Sequence, residues 1–249
     1  MSRPNILWSC PPSRWSLSGN EIHVWAATSA VSSRELSAFE KTLSLDEVER
    51  ARQFKFERDR NHFVACRGIL RAILAAYLKT GPREVNFEYG PRGKPWVANL
   101  PETSRVHFNS AHSEDLFLTA ASRICPLGVD VERIRLIENT DDLVKQLLCT
   151  TEELAWSKVA ESQKVSAFFR LWTCKEACLK ATGEGITGRL QEVAVTFLPG
   201  EPARLLRPPA MPIPNEDWTL RELEPAGNFA AALAAPTRSF GLSCWRWPN

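Results

Sequence analysis

The chain has 249 residues, more than one average domain of roughly 150 residues and fewer than two. Hydrophobic residues at 44% and charged residues at 24% match an ordinary water-soluble globular protein. Lys plus Arg number 31 against 29 Asp plus Glu, a net charge of +2. That near-balance argues against a dedicated nucleic-acid binder, yet it leaves room for a local basic pocket that takes a small anion.

The longest apolar runs, such as 229–236, are too short to span a bilayer, and the N-terminal segment reads as no signal peptide. Seven cysteines, without a Cys-x-x-Cys pair, suit reduced thiols in a cytoplasmic protein better than a disulfide framework or a structural zinc.

In chain order, the first strand is the alternating Ile22-His-Val-Trp25. Ser44-Leu-Asp-Glu47 then reads as a capping box opening a helix. A long helix follows near 60–78, ending close to Gly81. A strand-turn-strand signal starts at Val85 and includes the tight turn Pro91-Arg-Gly-Lys-Pro95. Val106-His-Phe108 and Leu116-Phe-Leu-Thr-Ala120 complete this half as paired strands around a polar loop that holds His112.

The second half repeats the order. Val129-Asp-Val-Glu132 is its opening strand, and Thr150-Thr-Glu-Glu153 is a capping box 106 residues after the first. A long helix near 165–181 ends at Gly183, with Phe169 lying 106 residues after Phe63. A hairpin signal starts at Val193, 108 residues after Val85, and Leu205-Leu-Arg-Pro-Pro-Ala-Met-Pro-Ile-Pro214 reads as a proline-rich surface loop. Trp218-Thr-Leu220 and Phe229-Ala-Ala-Ala-Leu233 close the half as paired strands. Five elements in one order at nearly one offset predict an internal duplication. The expected architecture is α+β, with two similar lobes, 1–125 and 126–249, each with helices on a mainly antiparallel sheet. The cleft between them is a natural ligand site.

The chemistry concentrates in the second half. Alternation along Gly128-Val-Asp-Val-Glu132 puts Asp130 and Glu132 on one strand face about 6.6 Å apart, a spacing that suits a hard divalent cation such as Mg²⁺ or a solvated edge. On the helix 168–180, steps of about 100° set Glu176 in an arc otherwise lined by aromatic residues. A carboxylate buried there is costly unless it is paired or holds a metal. Lys180 lies one turn on and could pair with Glu176 or bind a phosphate. Lys175 falls where a core residue is expected, so its ammonium either snorkels outward or faces an anion. The first half supplies cations instead: Arg92 and Lys94 on the glycine turn at Gly93, His112, and the helical Arg50, Arg58, Arg60 and Arg67, read mostly as solvated face.

Together these segments resemble the phosphopantetheinyl transferases of the surfactin-synthetase-activating (Sfp) type. Gly128-Val-Asp-Val-Glu132 is similar to that family's Gly-hydrophobic-Asp-hydrophobic-Glu signature. Trp172-Thr-Cys-Lys-Glu-Ala-Cys-Leu-Lys180 is similar to its Trp-x-x-Lys-Glu-x-x-x-Lys signature. Gly93-Lys-Pro95 and Phe108-Asn-x-x-His-Ser113 match two further motifs in order. The resemblance implies a two-lobed monomer that moves the phosphopantetheine arm of coenzyme A to a serine of an apo acyl- or peptidyl-carrier protein. It implies Mg²⁺ on Asp130, Glu132 and Glu176, with Glu176 also as general base. It further implies Lys180 and His112 on phosphate oxygens, Arg92, Gly93, Lys94 and Asn109 around the nucleotide, and Arg50 on the 3′-phosphate. Two departures stand out. Ala111 precedes the motif histidine where serine is common, and Glu114 stands where glycine is frequent. A non-catalytic coenzyme A or carrier-protein binding module of the same fold is the alternative, against which the complete acidic set argues.

Overall fold

The computed structural model describes residues 6–183, 190–209 and 217–248. The first half contains β2 (Glu21–Thr28), α1 (Ser33–Glu40), α2 (Leu45–Arg52) and α3 (Glu57–Leu78), then the short hairpin β3 (Phe87–Tyr89) and β4 (Pro95–Val97), and last β5 (His107–Ser113) and β6 (Leu116–Ser122). The second half repeats this with β7 (Gly128–Arg133), α4 (Thr140–Lys145), α5 (Thr150–Trp156), α6 (Lys164–Thr182), β8 (Ala194–Val195), β9 (Leu205–Arg207), β10 (Thr219–Leu223) and β11 (Phe229–Ala235). In both halves the second strand of the last hairpin sits between its partner and the opening strand, giving β2-β6-β5 and β7-β11-β10, antiparallel throughout. The α+β architecture with helices on antiparallel sheets agrees with the sequence pattern.

One strand crosses the boundary drawn at 125/126. The C-terminal β12 (Gly241–Arg246) pairs parallel to β2 and to the short β1 (Trp8–Ser9), so the end of the chain extends the first sheet. Alternation along the central strands makes three cores. Trp25, Phe108 and Phe117 pack under Ile69, Ile73 and Leu74 of α3. Ala232 and Ala234 pack under Leu171, Ala177 and Leu179 of α6. The opposite faces, Ile22, Val24 and Leu118 from the first sheet with Val129, Val131 and Leu233 from the second, meet in a shared core. Burying each such aliphatic side chain contributes about 1.5–3 kcal/mol. The seam between the lobes is therefore continuous hydrophobic interior.

Local details correct the sequence reading. The second capping box is Cys149 with Glu152, one residue earlier than Thr150 with Glu153. The Thr-Thr-Glu-Glu run permits both registers. The structure selects the one that turns Glu152 inward, where it meets the Lys175 ammonium at 2.6 Å. Lys175 is fully buried and also donates to the Leu147 and Leu190 carbonyls. It therefore faces an internal anion, and burial lowers its pKa. The first half has a counterpart: Glu47, in the box led by Ser44, accepts from buried Arg71, which also donates to the carbonyls of Pro82 and Val85. Helix α3 ends with Lys79 in the left-handed region, two residues before the expected Gly81, whereas Gly183 takes that conformation after α6. In the proline-rich segment, Leu205–Arg207 is strand β9, and 210–214 lie outside the described residues.

Candidate active site at the seam between the lobes

Two elements of the second half set the acidic groups. On β7, Val129 and Val131 are wholly buried in the shared core, which turns Asp130 toward α6. Gly128 lets the helix approach: a Cβ there would lie 2.0 Å from the Ala177 carbonyl oxygen and 2.5 Å from the Ala181 nitrogen. No side chain fits that gap. Helix α6 runs without proline or interior glycine and presents Glu176 at this close crossing.

Asp130 and Glu176 are 4% and 2% exposed. Asp130 Oδ2 and Glu176 Oε1 are buried without a hydrogen-bond partner among the described residues. Such orphaned acceptors are rare in folded proteins and fit a bound cation or donor. Burial, chiefly, raises the Asp130 carboxyl to about 6 and the Glu176 carboxyl to about 7; Asp130 also raises Glu176, Glu132 raises both, and Lys180 opposes these shifts. Lys180 bonds Asp130 Oδ1 at 2.5 Å, so this lysine pairs with Asp130 rather than with Glu176. Glu132 accepts from Ser113 Oγ at 2.9 Å, and Ser113 accepts in turn from the Arg133 amide. Among the described residues no three His, Cys, Asp or Glu side chains converge as a ready-made metal cage. The oxygen donors nonetheless suit Mg²⁺ in type, and two of them are open.

The first half lines a groove beside these groups. One part, of about 560 Å³, is bounded by Arg50, Phe63, Arg67, Pro95, Asn109 and His112. An adjoining part, of about 780 Å³, shares Asp59, His62 and His112 with it. His112 is the penultimate residue of β5, not a loop residue. The hairpin turn is only Glu114-Asp115, and Ser113 already pairs with Leu116. Glu114 has φ +50, the left-handed region that accounts for glycine being frequent at this point of the motif. Ala111 packs in the shared core, and Ser110 donates to Thr119, so neither supplies a free hydroxyl.

His62 was passed over in the sequence. Its ring centroid lies 4.6 Å from that of His112, and its nitrogens contact Ser29 Oγ at 2.8 Å and Cys66 Sγ at 3.6 Å. Burial lowers the pKa of both histidines. A lone histidine within a helix carries no local signal, because its partners come from the ends of distant strands.

Two residues expected around the nucleotide are engaged elsewhere. The Lys94 ammonium donates to the carbonyls of Lys180 at 2.5 Å, Leu127 at 3.2 Å and Ala181 at 3.3 Å, and burial lowers its pKa to about 8. It ties the first half to the C-terminal turn of α6, where a cation also meets the negative end of the helix dipole. Asn109 Oδ1 accepts from the Val129 amide at 2.8 Å and joins β5 to β7, although the residue still borders the groove. Arg92 and Gly93 stand on the exposed turn, with Gly93 at φ +79. Arg50 is exposed at the groove, its guanidinium 5.4 Å from the Phe63 ring centroid.

Comparison with known proteins identifies the family. Residues 126–234 match the family described as the 4′-phosphopantetheinyl transferase superfamily, and residues 25–124 match the 4′-phosphopantetheinyl transferase N-terminal family. The chain is 37% identical over 240 residues to the 4′-phosphopantetheinyl transferase HetI of Nostoc sp., covering 96% of this chain and 98% of that protein. It is 30% identical over 184 residues to a phosphopantetheinyl transferase of Thraustochytrium sp., covering 70% and 62%. It is 27% identical over 167 residues to a 4′-phosphopantetheinyl transferase of Bacillus subtilis, covering 65% and 72%. The chain belongs to the 4′-phosphopantetheinyl transferase family and is an enzyme of that class, transferring phosphopantetheine to carrier proteins.

Proposed function

We propose that coenzyme A lies in the groove along the seam and that the acidic end at β7 and α6 is the reaction centre. The observation that carries this reading is the pair of orphaned oxygens, Asp130 Oδ2 and Glu176 Oε1, buried at the close crossing of β7 and α6. Asp130, Glu132 and Glu176 would hold Mg²⁺. Bound there, the ion would neutralise charge that builds on the departing phosphate.

The remaining work falls to side chains of this chain. Glu176 accepts the proton of the carrier serine as its oxygen attacks phosphorus. Burial gives the carboxylate the basicity for that step, and Lys180 keeps it from holding its own proton too tightly. Lys180 moves its ammonium from Asp130 toward the diphosphate, where His112 donates from the opposite wall. Arg50 meets the 3′-phosphate, and Arg92 and Gly93 border the nucleotide from the turn. Asn109 and Lys94 act by holding the two halves in register. The leaving group is adenosine 3′,5′-bisphosphate.

The acceptors are apo acyl- or peptidyl-carrier proteins. Two halves sharing one core fit a monomer that provides its own partner lobe, 1–125 beside 126–249 with β12 crossing back. Seven free cysteines fit a reducing cytoplasm. No helix among the described residues is long and apolar enough to cross a membrane.

Calorimetry of coenzyme A with Glu176→Gln tests the site. The variant should bind coenzyme A yet fail to transfer its arm. Transfer at the wild-type rate would remove Glu176 from the base role.

A further inference from the structure

Arg67 stands out from the arginines of the first half. The sequence pattern treats it as solvated face, but its side chain is only 12% exposed, and it borders the groove. One side of its fork is anchored, with Nε 3.4 Å from Glu47 Oε1. Its guanidinium lies against two rings, 5.1 Å from the Phe87 centroid and 5.7 Å from that of Phe63. Nη1 is buried and has no hydrogen-bond partner among the described residues. A guanidinium donor withdrawn from water without an acceptor is costly, and the packing here leaves it no ready escape by rotation.

Arg50 approaches the same Phe63 ring. Arg50, Arg67 and His112 line one groove, and His112 lies near Lys180, which pairs with Asp130. Coenzyme A carries two separated anionic groups, the diphosphate and the ribose 3′-phosphate. If the reacting diphosphate lies at the Lys180 end, the other phosphate falls at the arginine end.

We infer that Arg67 is a specificity-determining residue: its free Nη1 donates to the ribose 3′-phosphate and makes the enzyme prefer coenzyme A to 3′-dephospho-coenzyme A. The inference rests on the proposed placement of coenzyme A in the groove. Arg67 is held by Glu47 and the two phenylalanines before ligand arrives, so little side-chain entropy is lost on binding. One charge-assisted hydrogen bond of about 1.5–3 kcal/mol corresponds to a preference of roughly tenfold to a hundredfold.

The test is calorimetry of both ligands, each with Mg²⁺, on the full-length enzyme and on Arg67→Met. Wild type should bind coenzyme A at least about tenfold more tightly than 3′-dephospho-coenzyme A. Arg67→Met should lose most of that preference by weakening coenzyme A alone, with dephospho-coenzyme A affected less than about twofold. Equal weakening of both ligands, or no weakening of either, would overturn the inference. So would a wild-type enzyme that binds both equally, a result that does not depend on the variant folding. Failure of the wild type to bind either ligand would instead refute the placement of coenzyme A in this groove, and the inference with it.

Discussion

Lys180 Nζ lies 2.5 Å from Asp130 Oδ1, one helical turn beyond Glu176, and so joins α6 to β7 at the centre of the acidic site. This single ammonium lowers the pKa of both Asp130 and Glu176 against the burial that raises them. It keeps two buried carboxylates usable near neutral pH.

Replacing Lys180 with Met therefore has a directional effect on pH dependence. Without the cation both carboxyls hold their protons to higher pH, and the acid limb of the profile of kcat/KM against pH should move upward. Transfer should also fall by about 10² or more, the scale of losing one charge-stabilising donor. A profile unchanged in position would separate Lys180 from the carboxylates.

Glu176→Gln should remove transfer while stabilising the metal-free fold above neutrality. The folded pKa of Glu176 is raised, from an ordinary 4.5 to about 7. The folded state therefore keeps a proton that the unfolded chain has released, and the group's contribution to stability declines as pH rises from about 4.5 to 7. The variant lacks that loss. At pH 8 its thermal midpoint should exceed the wild type's by about 4 °C, corresponding to on the order of 1–2 kcal/mol. Scans at pH 5 and pH 8 check the sign, because the advantage should shrink at the lower pH.

Gly128→Ala tests the close crossing of β7 and α6. The added methyl would stand 2.0 Å from the Ala177 carbonyl oxygen, which is backbone and cannot swing aside. The helix must shift, at a cost of about 1–3 kcal/mol in denaturant unfolding. Because Glu176 rides on that helix, transfer should fall more than stability alone accounts for.

Lys175→Met leaves the Glu152 carboxylate buried without its cation, and the expected loss is about 3–5 kcal/mol. Exchanging both residues for apolar ones should restore part of this, although Glu152 also accepts from the amides of Cys149 and Val195. Urea unfolding of the single and double variants measures the difference.

Much of this site could be read from the sequence because its signals are local. Strand alternation separated Asp130 from Val129 and Val131, and the 100° wheel put Glu176 on a buried arc. The duplicated element order anticipated the two matching sheets. What escaped depends on distance along the chain. The role of Lys94 needs the end of a helix 86 residues away, and that of Asn109 needs the amide of Val129 on the next sheet. His62 acquires meaning only through Ser29 and His112. The crossing of β12 was hidden because Gly241–Arg246 has no counterpart in the first half's element order. Local ambiguity explains the capping box: Thr150-Thr-Glu-Glu153 fits two registers, and the partner that chooses between them, Lys175, belongs to another helix.

Intact-protein mass spectrometry of an apo carrier protein, incubated with this enzyme, coenzyme A and Mg²⁺, tests the central claim most directly. The account predicts a gain equal to one phosphopantetheine arm on the carrier serine, lost with Glu176→Gln and with chelation of the metal. An unchanged carrier mass across acyl- and peptidyl-carrier proteins, with folded enzyme present, would contradict it.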